Sequence, residues 1–297
     1  MIKFTYFIVA ILASLFTSCV SNELSELDYG QNPPGSNPEI FLPGTVSTEL
    51  TEHGTVSFLQ DGNEVFWAVI FNDPFRKKIM TMNRVDDHWT EPQIASFSLG
   101  ENEGNPFCSP DGNIIFFTGW RAASGYNEDK HLIMYSEKTD TGWNEPKLID
   151  PIINSICKYW QISVAENNNL YFVSEIDGKG IYYSQMINGQ YTSPTKIDLN
   201  IIGGTPCIAS DETYIIFSAS DQPDGYGELD LYISYKLGNG LWSNAFNLGA
   251  NINSKFTEIW PIVSPDKKYL FFTSSKNGNM DIYWVSSTFI EELKPKE

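Results

Sequence analysis

Five stretches of this chain can be laid over one another. LQDGNEVFW (59–67), SPDGNIIFF (109–117), VAENNNLYF (164–172), IASDETYIIF (208–217) and SPDKKYLFF (264–272) align on an acid that precedes an apolar run. In each copy an aromatic residue stands six positions after that acid, which is Asp61, Asp111, Glu166, Asp211 or Asp266. The acids are spaced by 50, 55, 45 and 55 residues. A period of this length constrains the fold more than any composition does, because each unit must bury its apolar surface against the next.

The same elements recur around each copy. A half-apolar segment precedes the turn: TVSFL, PFCS, QISV, PCIA, PIVS. After the aromatic run and a polar loop comes IMTM (79–82), IMYS (133–136), IYYS (181–184), LYIS (231–234) or IYWV (282–285). Another turn then leads to WTEP (89–92), WNEP (143–146), YTSP (191–194) or WSNA (242–245). β-Branched and aromatic runs bounded by Gly, Asn, Asp and Pro signal strands, and no 3.6-residue period is sustained. Four short strands per unit, five times over, predict an all-β, five-bladed β-propeller of four-stranded blades. The last unit lacks its fourth strand, while EIFLPGTVST (39–48) resembles the fourth-strand segments QIASFSLG, KLIDPIINS, KIDLNII and NLGANINS. The expectation is that this N-terminal strand completes the last blade and closes the ring without an open seam.

The SPDG-plus-aromatic strand, the DIYWVS and DLYISYK runs, W-x-x-P and NLGANINS together resemble the WD40-like (SPDG-type) repeats of TolB-like β-propellers, abundant in exported and lipid-anchored proteins of Bacteroidetes-type bacteria. The resemblance covers residues 39–288. It implies the fold, and a binding or scaffolding role more than an activity. The third copy departs from it, with Ala165-Glu166-Asn167 in place of Pro-Asp-Gly.

The start of the chain reads differently. MIKFTYFIVAILASLFTSC carries Lys3 and then an apolar run of 13 residues from Phe4 to Phe16. That run is too short to span a bilayer comfortably and suits a secretory signal. Phe16-Thr17-Ser18-Cys19 resembles a bacterial lipobox, so Cys19 is expected to be acylated and to anchor the chain. The predicted division is a lipoprotein signal peptide over 1–18, a flexible acidic tether over 19–38 and the propeller over 39–297. The expected location is the cell envelope, at the periplasmic or the surface face of the outer membrane, with the lipid anchor as the sole membrane contact.

Charge narrows the partners. With 19 basic and 37 acidic side chains the chain carries a net −18, which repels phosphate backbones, so no nucleic acid is expected. Cys108, Cys157 and Cys207 are an odd set without a CxxC, and His53, His88 and His131 lie far apart in sequence. Buried thiols are expected, with no metal and no cofactor. The loop holding Asp221, Asp224, Glu228 and Asp230 is expected to be solvated rather than to bind calcium, and 121–130 to be a surface excursion.

The turn acids read as fold residues, and Trp89, Trp143, Tyr191 and Trp242 as rings packed between blades. The repeat also names a channel rim. Eight residues before the turn acid stand His53, Glu103, Lys158, Gly203 and Glu258; six before it stand Thr55, Asn105, Trp160, Thr205 and Trp260. Five copies of one position with different side chains make an asymmetric pocket on a symmetric scaffold. His53, Glu103, Asn105, Lys158, Trp160, Glu258 and Trp260 are therefore the expected ligand-binding residues, for an envelope protein, a peptide or a glycan. The alternative is a carbohydrate-active enzyme of glycoside hydrolase type, with Glu103 and Glu258 as paired carboxylates. Against it, no inner strand after the first supplies an Asp apart from the turn acids, and the chain has no GxSxG, HExxH or phosphate-binding Gly loop. No catalytic residue is assigned.

Overall fold

In a strand, successive side chains point to opposite faces. A strand such as EVFWAVIFN (64–72), apolar on both, needs a neighbour on each side, and a ring of sheets supplies one. The structure is a computed structural model describing residues 27–72, 74–119 and 131–296, with 157–160 described by backbone alone.

Five antiparallel sheets follow one another in chain order, and a small hairpin pairing 186–187 with 190–191 extends the third. The innermost strands are Ser57–Phe58 with Thr51–Glu52, then Glu103–Cys108, Cys157–Val164, Gly204–Ile208 and Glu258–Val263. The N-terminal strand Glu39–Ile40 pairs with Asp281–Ser286, Glu39 opposite Trp284 and Ile40 opposite Tyr283. The Phe41 N–H then donates to the Ile282 carbonyl at 2.8 Å. The ring is closed by hydrogen bonds, as the missing fourth strand predicted.

Five apolar clusters occupy the five seams. The aromatic six positions after each aligned acid (Trp67, Phe117, Phe172, Phe217, Phe272) faces the preceding blade, which explains the invariance of the repeat. The outer rings pack as expected: Trp143 lies edge-on to Phe66 and Phe97 of blade one, and its Nε1 donates to Glu64. Trp89, Tyr191 and Trp242 lean on their own seam clusters.

The turns carry one chemistry with one exception. Asp61, Asp111, Asp211 and Asp266 each accept the N–H of the residue two positions on, at 3.0–3.2 Å. The residue between has positive φ: Gly62, Gly112, Glu212, Lys267. In blade three this acceptor is Asn167, not Glu166, with Asn168 at φ 64°. That turn is one residue shorter, so counting back from Glu166 misplaces the inner strand by one.

The expected tether needs a further correction. From Leu27 onward it is packed on the blade one–five seam. The Tyr29 ring is buried among Phe58, Tyr269 and Trp284, and its hydroxyl donates to Asp266 at 3.0 Å. Arg84 grips Asp28 at 2.6 Å, and Gln31 bonds Ile40 and Leu42. One buried aromatic ring outweighs a polar, Pro-rich composition. The signal peptide, Cys19 and the 121–130 excursion lie outside the described residues. Among the described residues no helix is long and apolar enough to cross a membrane.

Candidate functional site

The propeller has two faces. Asx turns end the innermost strands at one, the turn face; at the other, the loop face, those strands begin, beside the loops joining second to third strands. Near its start each innermost strand breaks register with its neighbour. The interruptions fall between Gly104 and Phe107, Cys157 and Ile162, Gly204 and Cys207, and Ile259 and Ile262. Bulges of this kind re-aim side chains. At three of them a residue with a Cβ adopts left-handed backbone: Asn105 at φ 52°, Thr205 at 42° and Trp260 at 54°. For a β-branched threonine and a bulky tryptophan this is strained, at a cost of about 1–3 kcal/mol each, and such strain concentrates at functional sites.

The bulges sort the expected rim residues. Glu103 and Glu258 are 0% exposed. Glu258 accepts from the Ser254 N–H at 2.8 Å, the Ser254 hydroxyl at 2.7 Å and the Ser274 hydroxyl at 2.7 Å. Its carboxylate staples the loop before its own strand and does not line the opening. Glu103 lies against Gly100 and Gly119, where a Cβ would come within 2.8 Å of its side chain. In blade one the matching residue is Glu52 rather than His53. Glu52 pairs with Val69 as Glu258 pairs with Ser274, and accepts from Thr48 four residues back as Glu258 does from Ser254. Burial, with Asp281 nearby, pushes the Glu52 carboxyl up to about 8.

His53 is thus the extra residue of a wider bulge, which turns it toward the opening. Its ring lies 4.8 Å from that of Trp260, tilted by 40°. Its Nδ1 is 3.5 Å from Nζ of Lys77, a side chain 4% exposed that starts on the third strand of blade one. The Lys77 stem runs over Gly104, where a Cβ would sit 3.1 Å from Cε. Burial pushes Lys77 down to about 8, and burial with the nearby ammonium pushes His53 down to about 3, so the imidazole is neutral. His131, half-buried at the head of the third strand of blade two, also feels the Lys77 charge and is shifted down by burial.

Deeper in the channel Asn105 is buried and donates to Thr118 at 3.3 Å. The side chains of Lys158 and Trp160 lie outside the described residues. With blade three re-registered, Gln161 occupies the position expected of Trp160. Its Nε2 donates to the carbonyls of Pro206 at 3.3 Å and Pro261 at 3.0 Å, tying three of the five innermost strands together across the channel. Beyond it, at the turn face, a separate cavity of about 420 Å³ is lined from all five blades, including Phe58, Phe107, Val164, Cys207 and Ile262.

The His53 and Trp260 rings, expected at two different positions of the rim, lie side by side, and counting from the turn did not point to Glu52, Lys77, His131 or Gln161. Thr48…Glu52 and Ser254…Glu258 share one spacing, which was a usable signal. Lys77 and His131 lie on third strands and carried none. Among the described residues no three His, Cys, Asp or Glu converge as a metal site. In the 218–230 loop, Asp224 accepts from the Tyr232 hydroxyl, Asp230 from the Tyr226 N–H and Glu228 from Thr257, so three of its acids hold local structure.

The sequence matches no known protein-family profile, and no curated protein matches it. The fold is that of a five-bladed β-propeller with TolB-like neighbours among solved structures. It is similar to TolB from Acinetobacter baumannii, with a TM-score of 0.53 and 15% identity over 81% of this chain and 55% of that one. It is also similar to a GH43_12 protein retrieved from a capybara gut metagenome, with a TM-score of 0.51 and 13% identity over 87% of this chain and 55% of that one. The chain spans about half the length of either. At such identities the likeness is one of fold.

Proposed function

We propose that this propeller is a binding module of the cell envelope which takes a protein or peptide partner at the loop face. The observation that carries the reading is the convergence at one mouth of two of the three histidines, a buried lysine and a strained tryptophan. They come from blades one, two and five of a chain with net charge −18. Large exposed apolar side chains stand on the loops of the same face: Phe75, Leu99, Ile176, Ile202, Tyr226 and Phe256. Val85, Ile187, Leu237 and Leu241 are exposed too, but at perimeter hairpins toward the other face. Apolar side chains around a polar, charged centre suit a protein partner better than solvent.

The carbohydrate-active alternative draws support from the GH43_12 neighbour's fold, but it requires Glu103 and Glu258 to reach a substrate, and both are enclosed. Anchoring through Cys19 fits the direction of the chain. Leu27 rests on Asp266 and against Gly62, both turn residues, so the preceding segment joins the turn face. An acyl anchor at Cys19 would hold that face toward the bilayer and leave the loop face open to partners.

The test places a photoreactive residue at Ile202, Phe256 or Leu241 in the full chain in its own membranes. Specific adducts at the first two and none at Leu241 are expected. Adducts confined to Leu241, or turnover of a glycan by the unaltered protein that is abolished in the Glu103→Gln/Glu258→Gln double variant, would overturn the reading.

A further inference from the structure

The turn-face end of the channel holds the cavity of about 420 Å³ lined from all five blades, within the range of about 300–1,000 Å³ common to small-molecule sites. Its floor is apolar. Phe107 of blade two and Ile262 of blade five belong to one cluster with Ile162 and Val164 of blade three, so side chains of three blades meet across the channel. Burial pushes the Cys108 and Cys207 thiols on its wall up to about 12, so both stay uncharged.

Most polar groups around this floor are already used. The Ser57 hydroxyl accepts from the Cys108 N–H at 2.8 Å. The Ser109 and Ser264 hydroxyls each donate to the acid of their own turn and accept a backbone N–H. Lys267, the one cation among the lining residues, pairs with Asp211 at 3.4 Å. Gln60, Glu166 and Ser210 stand at the rim, open to water. Tyr214 is the exception. It is 9% exposed and its ring leans on Tyr235, yet its hydroxyl makes no hydrogen bond among the described residues. Burial shifts the phenol upward, so it keeps its proton and can donate it. Tyr214 and Lys267 also line a second hollow of about 430 Å³ beside the C-terminal helix Phe289–Glu292. A group bonded to Tyr214 therefore has room outside the channel.

An apolar floor with one unused donor selects a ligand of matching make-up. A buried donor without a partner is costly, so the bound group must carry an acceptor. A sugar needs several hydrogen bonds, which this floor does not offer. A carboxylate or phosphate would enter beside Glu166 and Asp211, with the one lining cation already paired. We propose that the turn-face cavity binds an acyl chain whose ester or amide carbonyl accepts from the Tyr214 hydroxyl. This site is independent of the loop-face reading.

The test uses the full chain in lipid nanodiscs and methyl decanoate carrying a photoreactive diazirine at its far carbon. Mapped adducts are expected on Phe107, Val164 or Ile262. Unlabelled methyl decanoate should compete at a concentration at least tenfold below that of decane or decanoate. Tyr214→Phe should bring ester and alkane level. Ser210→Trp, at the half-buried rim, should remove the deep adducts; should it not fold, Gln60→Trp gives the same block from blade one. Adducts confined to exposed side chains such as Leu241, or persisting behind a rim tryptophan, would overturn the site. Decane competing as well as the ester in the unaltered protein, or an ester preference that survives in Tyr214→Phe, would overturn the role of the hydroxyl. Galactose competing below the ester would overturn the acyl chain. Deep adducts that increase in Cys19→Ser would trace the natural occupant to an acyl group on the protein's own N-terminus, and equal adducts to a separate lipid.

Discussion

At the turn face, five turns preserve one hydrogen-bond pattern through changes of side chain: Asp or Asn accepts from the residue two on, and the residue between takes positive φ whether it is Gly, Asn, Glu or Lys. At the loop face, the same five strands begin with bulges of unequal width and place His53, Asn105, Gln161, Thr205 and Trp260 around one axis. The first arrangement tolerates substitution because the backbone does the bonding. The second is built from side chains, so each substitution alters it. Strict repetition therefore marks what holds the ring together, and broken repetition marks what the ring presents.

The largest effects should come from the seam at the turn face. Tyr29→Ala removes a buried ring from the blade one–five cluster and should cost about 3–5 kcal/mol in urea denaturation. Tyr29→Phe loses only the bond to Asp266 and should cost about 1 kcal/mol. Equal small losses for both would mean that the packed 27–38 run adds nothing to closure. Next comes Glu258→Ala, which strips three bonds from a buried carboxylate and leaves Ser254 and Ser274 facing a void; about 3 kcal/mol is expected. A loss below about 1 kcal/mol would return Glu258 to the ligand-facing candidates.

Glu52 sharpens the comparison within the loop face, because it occupies the place of Glu258 with fewer partners. Both oxygens of Glu258 are bonded, whereas Oε2 of Glu52 has no hydrogen-bond partner among the described residues. Its carboxyl, ordinarily near 4.3, is held up to about 8 in the folded chain. A folded-state value above the unfolded one means that the native protein holds the proton more tightly. The stabilisation is fully present below the unfolded value and is lost as pH rises through about 8. Asp281, also shifted up by burial, acts in the same direction. The melting temperature should fall from pH 5 to pH 8, and Glu52→Gln should flatten that slope. An unchanged slope would place the proton elsewhere.

The fold was legible because a propeller writes its seams into the sequence five times. The aromatic after each turn acid recurs since each faces the preceding blade, and the absent fourth strand named its substitute at the other end of the chain. The site was legible only where counting from the turn remained valid. It failed in blade one, where an additional bulge residue moved Glu52 into the place assigned to His53. It failed in blade three, where a shortened turn put Gln161 where Trp160 was expected. Bulges and turns absorb insertions without disturbing the seams, so the apolar register carries no trace of them. Lys77 and His131 belong to third strands whose repeat unit says nothing about the mouth; only their reach across the fold brings them there. Tyr29 was hidden by composition, because a Pro- and Gly-rich acidic run reads as linker whether or not one ring in it is buried.

The smallest expected effect on stability tests the mouth most directly. Gly104 does not adopt left-handed backbone, and a Cβ there would meet Lys77 at Cε and Cδ, 3.1 and 3.2 Å away, the far end of a flexible side chain. Gly104→Ala should therefore change stability by less than about 1 kcal/mol, since the lysine stem moves aside at little cost. Moving it separates Nζ from His53 Nδ1, so the imidazole resonances of His53 should shift in this variant while those of His88 stay in place. Gly204 occupies the matching position in blade four, where the nearest atom to an added Cβ is the Ser218 hydroxyl at 3.5 Å. Gly204→Ala should leave the His53 resonances unchanged. If the two alanines behave alike, the position matters for the bulge and not for the lysine; if only the first acts, the path of Lys77 over Gly104 is part of the site.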